Sequence, residues 1–464
     1  MPPHPPLRAE LRSLVRLAIP LAIAQGGQAL MGVVDTAVVG RAGALPLAGT
    51  GLGNALFMAL GVLGMGVMHG LDPLVSQALG AGDAARARRV LWQGVWLAAL
   101  LSAALALPFL LAPAALAPLG IEEGVAREAG RYLRWRLPGL PFFLAFFAAR
   151  AYLQGLGSAR PMVVATLLAN VVNVPADVLF VFGGEALPGW AWPLTATPAM
   201  GAAGAAMATS LVSAVQLAIL ARVISAVRLP DARAVPRRPD RRELRAALRV
   251  GLPVGLHMGA EVGIFALVGF LAARLGALPL AAHQLAISVA SLTFTVAVGF
   301  GNAGSVRVGW AVGARDREGA RRAGLAAFGA GAAFMAASAL VFFLFPGAIA
   351  RAMSDDPAVV AAAAPLLRVA AWFQLSDGIQ GVGAGVLRGA GETRFTFVAN
   401  LVGHWALGFP AAALLGFTLG GGVAGRWWGF VLGLSAVAAA LFARFLRVSS
   451  REIVPIAGRA GAPP

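Results

Sequence analysis

The hydrophobic pattern of the chain is typical of a protein that crosses a bilayer many times. Long apolar stretches alternate with short segments rich in charged residues, glycine or proline. A hydrocarbon core about 30 Å thick needs about 20 apolar residues per helix. Twelve stretches approach that length, and we predict membrane-spanning helices at 14–38, 46–69, 90–112, 130–154, 161–183, 200–224, 246–272, 279–305, 321–345, 362–387, 395–417 and 425–447. The pattern therefore predicts an all-α polytopic membrane protein.

The composition agrees with a membrane protein and excludes thiol chemistry. Hydrophobic residues make up 59% of the 464 residues, charged residues only 12%, and cysteine is absent. Disulfides and thiolate metal sites are therefore excluded, and we expect no cofactor. The first apolar run has no small-residue cleavage site after it, so we expect a retained helix and no signal peptide.

The placement of charge predicts the orientation. The net charge of +17 would suggest nucleic acid in a soluble protein, but most of the arginines lie at one set of span ends, and we expect no nucleic-acid partner. Basic loops stay in the cytoplasm, so we predict a plasma (inner) membrane protein with both termini cytoplasmic. The exception is the connection before the fourth span, which contains Arg127, Arg131, Arg134 and Arg136.

An internal repeat divides the chain into two halves. Three pairs of similar segments share one offset of 233 residues: 11–20 with 244–253, 41–52 with 274–285, and 79–89 with 312–322. Each half then has six predicted spans. We predict an N-terminal lobe at 1–228, a cytoplasmic linker rich in proline and arginine at 229–242, and a C-terminal lobe with a cytoplasmic tail at 243–464. Repeats in the same topological sense favour a cavity between the lobes.

Polar residues inside the spans of the first half indicate an ion site. A carboxylate at mid-bilayer costs roughly 2.5–3.5 kcal/mol even on a permissive scale, so such residues generally serve function. Asp35 lies in the first span, and the fifth span places Asn170, Asn173 and Asp177 on one helical face. Two carboxylates with amide oxygens can share a proton or hold Na⁺, and we favour the proton. The asparagines are equally compatible with simple interhelical hydrogen bonding.

Polar residues in the second half indicate a separate site. Glu261 and Asp377 lie near the middle of their spans. His283 and Gln284 could line the same cavity, although a packed, hydrogen-bonded histidine is the simpler interpretation of His283. We place four more residues in a secondary polar cavity: Gln28, Asn170, Gln374 and Gln380.

Several motifs together resemble the multidrug and toxic compound extrusion (MATE) transporters. They are "MGVVDTAVVG", "ARAYLQGLGSARP", "NVVNVPAD", "GAEVGIFALVG", "LPLAAHQLAIS" and "LSDGIQGVGAGVLRGAGETR". The resemblance covers about residues 11–447 and implies two six-helix bundles that form a V-shaped cavity, alternating access, and drug export against entry of H⁺ or Na⁺. It also implies a first-lobe ion-coupling site at Asp35, Asn173, Asp177 and Thr209, and second-lobe acids at Glu261 and Asp377. One departure is Phe373, where some relatives carry tyrosine, which counts against a sodium site in the second lobe.

The favoured function is a cation-coupled antiporter that exports organic cations and other amphipathic drugs, acting as a monomer. The alternative is an exporter or flippase of a lipid-linked or cell-envelope precursor in the same superfamily. Such a cargo would favour deep basic residues, whereas the deep charges here are acidic. An intramembrane enzyme is disfavoured because we find no HExxH and no G-x-S-x-G motif. A passive channel would dissipate the gradient that the paired acids could exploit. No role is predicted for the connection at 183–200.

Overall fold

The computed structural model describes residues 7–186, 195–229, 235–451 and 453–456. Within these ranges the chain is helical and has no β-strand. The first half contains α1 Leu7–Gly40, α2 Ala44–His69, α3 Leu71–Gly80, α4 Ala84–Leu111, α5 Glu123–Arg136, α6 Leu140–Gly155, α7 Arg160–Phe182 and α8 Ala202–Ala226. The second half contains α9 Arg241–Ala273, α10 Ala277–Gly313, α11 Arg317–Leu344, α12 Pro346–Met353, α13 Pro357–Gly389, α14 Thr393–Leu401, α15 Phe409–Ala413 and α16 Gly422–Ser449.

Parts of three predicted segments lie outside the described residues. They are 187–194 of the connection at 183–200, 230–234 of the linker, and most of the arginine-containing tail after 451.

The predicted class of all-α polytopic membrane protein is confirmed. Among the described residues, eleven helical segments are long and apolar enough to cross a membrane. The remaining predicted span, 130–154, falls on α5 and α6, which a 3₁₀ turn at Leu137–Gly139 joins. Pro138 explains this interruption because proline lacks the N–H that an α-helix interior needs.

The eleventh predicted span is also irregular. Between α14 and α15 the chain winds as a π-helix at Val402–Gly408, and a second π-helix follows at Leu414–Thr418. Such turns are rare and frequently occur at functional sites. The first of them carries His404, whose contacts are described below.

The chain divides into two compact units. The N-terminal unit consists of Ile23–Leu71 and Ala84–Gly255, and the C-terminal unit consists of Met1–Ala22, Asp72–Asp83 and Leu256–Pro464. The sequence-based lobes 1–228 and 243–464 remain a prediction.

Small residues let the helices within each unit approach closely. In the C-terminal unit, a Cβ added to Gly385 of α13 would lie 2.2 Å from the carbonyl oxygen of Gly301 on α10. In the N-terminal unit, a Cβ on Gly204 of α8 would lie 2.1 Å from the carbonyl oxygen of Phe180 on α7. Membrane helices associate through such close van der Waals packing, since lipid provides no hydrophobic driving force between them. The second crossing holds α7 and α8 together beside the predicted coupling residues.

Candidate functional site

The two acids predicted for the first half face each other in the N-terminal unit. Asp35 lies on α1 and Asp177 on α7, and their carboxyl groups are within hydrogen-bonding range. Both oxygens of Asp177 and Oδ1 of Asp35 lack a hydrogen-bond donor among the described residues. Like charges repel strongly away from water, so two carboxylates this close favour binding of a proton or a cation. The structure thus places the two predicted acids side by side, and their role in ion binding stays a prediction.

Thr209 and Asn173 complete this group. The hydroxyl of Thr209, on α8, donates to Oδ2 of Asp35 over 3.1 Å and to the carbonyl oxygen of Ala205 over 2.8 Å. Asn173 lies beside Asp177 on α7, and both are fully buried. Neither end of the Asn173 amide has a partner with hydrogen-bond geometry among the described residues. The structure therefore brings the four predicted residues together, and their carboxylate, amide and hydroxyl oxygens are also the kind of ligands that hard cations take.

A buried arginine near these acids was not predicted as a site residue. Arg136, at the end of α5, is only 3% exposed and its guanidinium carbon lies 4.3 Å from the centre of the Phe57 ring. Its Nη1 has no hydrogen-bond partner among the described residues. Arg136 is within electrostatic range of Asp35, and Tyr132, one turn earlier, is within range of both acids. Arg136 therefore offsets part of the negative charge of the pair.

The secondary polar residues of the first half have structural contacts. The Asn170 amide donates to the carbonyl oxygen of Gly27 on α1 over 3.0 Å and to that of Thr166 on its own helix over 2.9 Å. The bond to Gly27 is an interhelical hydrogen bond, the alternative to an ion site that the sequence analysis gave for the asparagines. Gln28 is half-buried on α1 and makes no hydrogen bond to a described residue. Neither residue joins the Asp35 and Asp177 group through a recorded hydrogen bond.

Glu261 and Asp377 line one cavity in the C-terminal unit. The cavity has a volume of about 370 Å³ and lies among α9, α10 and α13. Apart from the two acids and Ser291, its described lining is apolar, with aromatic walls at Phe265, Phe294 and Phe373. Ligand pockets are commonly of this size and combine apolar walls with a few polar groups. Two carboxylates in an aromatic pocket are chemically suited to an amphipathic cation.

Glu261 also belongs to a buried network that was not predicted in full. Its Oε2 lies 3.2 Å from Nε2 of His257, one turn earlier on α9. Gln380 of α13 lies 3.4 Å from the same His257 nitrogen and donates to Oδ1 of Asn400 over 2.8 Å. His404, in the first π-helix, places Nδ1 3.0 Å from the carbonyl oxygen of Asn400. Gln380 was the one member of this bridge that we had predicted as a polar cavity residue.

The other predicted residues of the second half lie away from this cavity's lining. His283 is buried, and its Nδ1 accepts a hydrogen bond of 3.3 Å from Nε1 of Trp427. Gln284 is exposed. Gln374 is fully buried and its amide donates to the hydroxyls of Thr293 and Ser338. His283 is therefore packed and hydrogen-bonded, as its simpler interpretation had it. Gln374 links α13 to α10 and α11.

Sequence reasoning could have found one of the missed residues. His257 and Glu261 are four positions apart in an apolar stretch, a spacing that puts two side chains side by side on a helix. Arg136 gave no such signal, because it belongs to a run of arginines near a span end, where exposure is expected. The bond from Gln380 to Asn400 gave no such signal either, because it joins two different helices.

Comparison with known families agrees with the internal repeat. The family model described as MatE matches residues 20–179 and 253–414. The two matched segments begin 233 residues apart, which is the offset found in the sequence itself.

Curated relatives cover nearly the whole chain. A probable multidrug resistance protein NorM of Pseudomonas putida is 36% identical over 440 residues, which is 93% of this chain and 93% of that protein. A multidrug resistance protein NorM of Burkholderia vietnamiensis is 35% identical over 465 residues, covering 97% of each. The crystal structure of the eukaryotic MATE transporter AtDTX14 matches with a TM-score of 0.84 and 20% identity, covering 98% of both chains. At that identity the structural likeness concerns the fold alone.

Proposed function

Because this chain belongs to the MATE family of multi-pass membrane transporters, we propose that it exports amphipathic organic cations and related drugs in exchange for protons. Members of this family are transporters and not enzymes. The two curated relatives described above are named multidrug resistance proteins, which supports multidrug efflux as the activity. The observation that carries the coupling proposal is the facing pair of Asp35 and Asp177 beside Thr209.

Charge explains how the N-terminal unit would use an ion gradient. Two facing carboxylates away from water are unfavourable when both are ionised, and a single bound proton relieves most of their repulsion. A ligand shifts a conformational equilibrium only as far as it binds one state more tightly than the other. A proton that binds Asp35 and Asp177 better in one state than in the other therefore favours that state. Because such coupling is reciprocal, substrate binding changes the affinity for the proton by the same factor.

The C-terminal cavity would hold the substrate. Ionised Glu261 and Asp377 attract a cation, and the aromatic side chains around them stack on its apolar body. A neutral drug would use the apolar walls but not the acids. The alternative cargo, an anionic lipid-linked or cell-envelope precursor, is not favoured because none of the described lining residues is basic.

Sodium is the competing coupling ion. The oxygens of Asp35, Asn173, Asp177 and Thr209 would suit Na⁺ as well as a proton. We favour the proton because the two carboxyl groups lie within hydrogen-bonding range of each other, which a shared proton permits directly. We further propose that the protein is a monomer. We also propose that it lies in the inner membrane with both termini in the cytoplasm, because its arginines cluster at one set of span ends.

Vesicles containing the purified protein test this proposal. Ethidium export is followed with a pH gradient alone and then with a Na⁺ gradient alone, for wild type and for Asp35→Asn. We expect the pH gradient to drive export by wild type and not by the correctly inserted Asp35→Asn protein. The matched control is Asp355→Asn, the same chemical change at an exposed position, which should transport normally. Full export by Asp35→Asn would overturn the coupling assignment, and wild-type export driven by Na⁺ alone would overturn the choice of the proton.

A further inference from the structure

We propose that His257 governs the release of a cationic substrate by taking up a proton and then pairing with Glu261. The inference rests on the proposed function, since it assumes that Glu261 attracts the cation. It adds a second place where a proton acts, on a histidine in the C-terminal unit. The side chain of His257 is buried and does not line the cavity, so it would act through Glu261 as a positioning residue.

One ring nitrogen of His257 has two polar neighbours. Nε2 of His257 lies 3.2 Å from Oε2 of Glu261 and 3.4 Å from Nε2 of Gln380. An ionised carboxylate only accepts hydrogen bonds, and an amide nitrogen only donates them. The histidine nitrogen must carry a hydrogen to bond Glu261, and must lack one to accept from Gln380. It therefore has two arrangements that exclude each other.

The orientation of the Gln380 amide is fixed by its surroundings. Asn400 donates through Nδ2 to the carbonyl oxygen of Thr396 over 2.8 Å, so its Oδ1 is the end that faces Gln380. That oxygen accepts from Nε2 of Gln380 over 2.8 Å. The amide nitrogen of Gln380 is thereby placed beside Asn400 and His257, and its second hydrogen is available to His257 or to Glu261, because Gln380 is also within hydrogen-bonding range of that carboxylate. The chain of bonds thus holds an N–H donor against Nε2 of His257, an arrangement that requires this nitrogen to lack a hydrogen.

The charged groups around His257 determine how its protonation changes the binding of a cation. Glu261 faces it from α9, Asp377 shares the cavity from α13, and His404 completes the set of titratable groups from the first π-helix. When Nε2 of His257 accepts from Gln380, the histidine donates no hydrogen bond to Glu261 and carries no charge, so that carboxylate keeps its full negative charge toward a cation in the cavity. With a protonated His257, a charge-assisted bond from Nε2–H occupies that carboxylate and adds a positive charge beside the substrate. The substrate cation then loses an attraction and meets a repulsion.

One proton accounts for this step. It comes from the acidic compartment, binds Nε2 of His257, and leaves to the opposite side when the histidine returns to its bond with Gln380. The exchange needs no co-reactant, and it makes acid outside the cell promote release of the cation. Protonation of Asp377 is a separate route by which acid could weaken binding, so an experiment must remove it.

Ethidium affinity as a function of pH tests the proposal. Fluorescence anisotropy is measured between pH 5.5 and 8.5 on full-length protein in nanodiscs, in an Asp377→Asn background where Glu261 is the remaining acid of the cavity. We expect the affinity to fall about tenfold or more from pH 8 to pH 6, the size expected for one charge-assisted bond. With His257→Gln added, which keeps a hydrogen-bonding side chain but cannot titrate, the change should be less than about twofold.

A second variant covers the case in which His257→Gln does not fold, as judged by size-exclusion chromatography. Gln380→Met removes the donor that favours the neutral histidine, so the loss of affinity should begin at a higher pH. An unchanged pH profile in His257→Gln, or a Gln380→Met profile that stays in place or moves to lower pH, would overturn the inference. Failure of the proposed function looks different. In that case wild type does not bind ethidium, or Glu261→Gln binds it as tightly as wild type at pH 8.

Discussion

Replacing Thr209 by valine distinguishes a proton from a sodium ion at the N-terminal acids. Valine keeps the branched shape of threonine and removes the hydroxyl that donates to Oδ2 of Asp35 over 3.1 Å. A hydrogen bond to a charged group is worth about 1.5–3 kcal/mol. The lower end applies here, because the same hydroxyl also donates to the carbonyl oxygen of Ala205 over 2.8 Å. The ionised form of Asp35 should therefore lose about 1.5 kcal/mol.

The sign of the effect depends on the coupling ion. If the ion is a proton, the hydroxyl stabilises the empty, ionised site, and its removal makes proton uptake easier. About 1.4 kcal/mol corresponds to a tenfold change in proton concentration, so the external pH for half-maximal export should rise by about one unit. If the ion is Na⁺, the same hydroxyl oxygen is a ligand, and its removal makes binding weaker. The two ions thus predict shifts of opposite sign.

The assay is ethidium export from vesicles at a fixed internal pH, with the external pH varied from 5 to 8.5 and then with external Na⁺ varied. Thr209→Ser is the matched control because it keeps the hydroxyl, and it should follow wild type. A half-maximal pH that falls in Thr209→Val, or that does not move while the serine control behaves normally, would refute the reasoning about this hydrogen bond. A weakened response to Na⁺ in a protein that sodium drives would identify the other ion.

Three further predictions follow from the described contacts. Glu261→Gln and Asp377→Asn should each reduce vesicle efflux of a cationic dye more than that of a neutral one, because both acids line the cavity; equal losses would indicate a structural role. Gly385→Ala should lower the thermal unfolding temperature in detergent, because overpacking typically costs about 1–3 kcal/mol. Gly329→Ala is the control and should not lower it, because nothing lies within 4 Å of its added Cβ. Equal unfolding temperatures would contradict the close crossing of α10 and α13. Asn170→Ala should cost about 1 kcal/mol of stability yet retain coupled export, since its amide bonds only backbone carbonyls; loss of coupling in a stable protein would place it in the ion site.

The fold class, most of the spans and the internal repeat could be predicted from the amino-acid sequence alone. Apolar length is a property of consecutive residues, so most spans could be predicted within a few positions from their hydrophobic runs. The repeat was visible because related segments keep one offset, and the two family matches begin with that same offset. The acids Asp35, Asp177, Glu261 and Asp377 stood out because a charge inside an apolar span is costly and therefore rare.

Which of these residues contact one another depends on how the helices pack. Helical periodicity tells which face a residue occupies, but the rotation of each helix against its neighbours depends on packing over its whole length. Thr209 of α8 reaches Asp35 of α1, and His257 of α9 reaches Gln380 of α13. His283, which the sequence allowed in the cavity of Glu261 and Asp377, is instead hydrogen-bonded to Trp427.

Most interruptions of the helices could not be predicted without the structure. The interruption between α5 and α6 had a sequence signal in Pro138, but the π-helix that carries His404 had none. A π-helix inserts a residue into the helical ladder and rotates the side chains that follow it, and neighbouring packing must stabilise it. The sequence shows that Arg136 is charged but not that it is buried. The rings of Phe57 and Phe143, which lie against its guanidinium, come from other helices. The sequence thus shows which polar and charged side chains of a membrane helix need to be kept away from lipid. Contacts between distant segments determine which partners bury them.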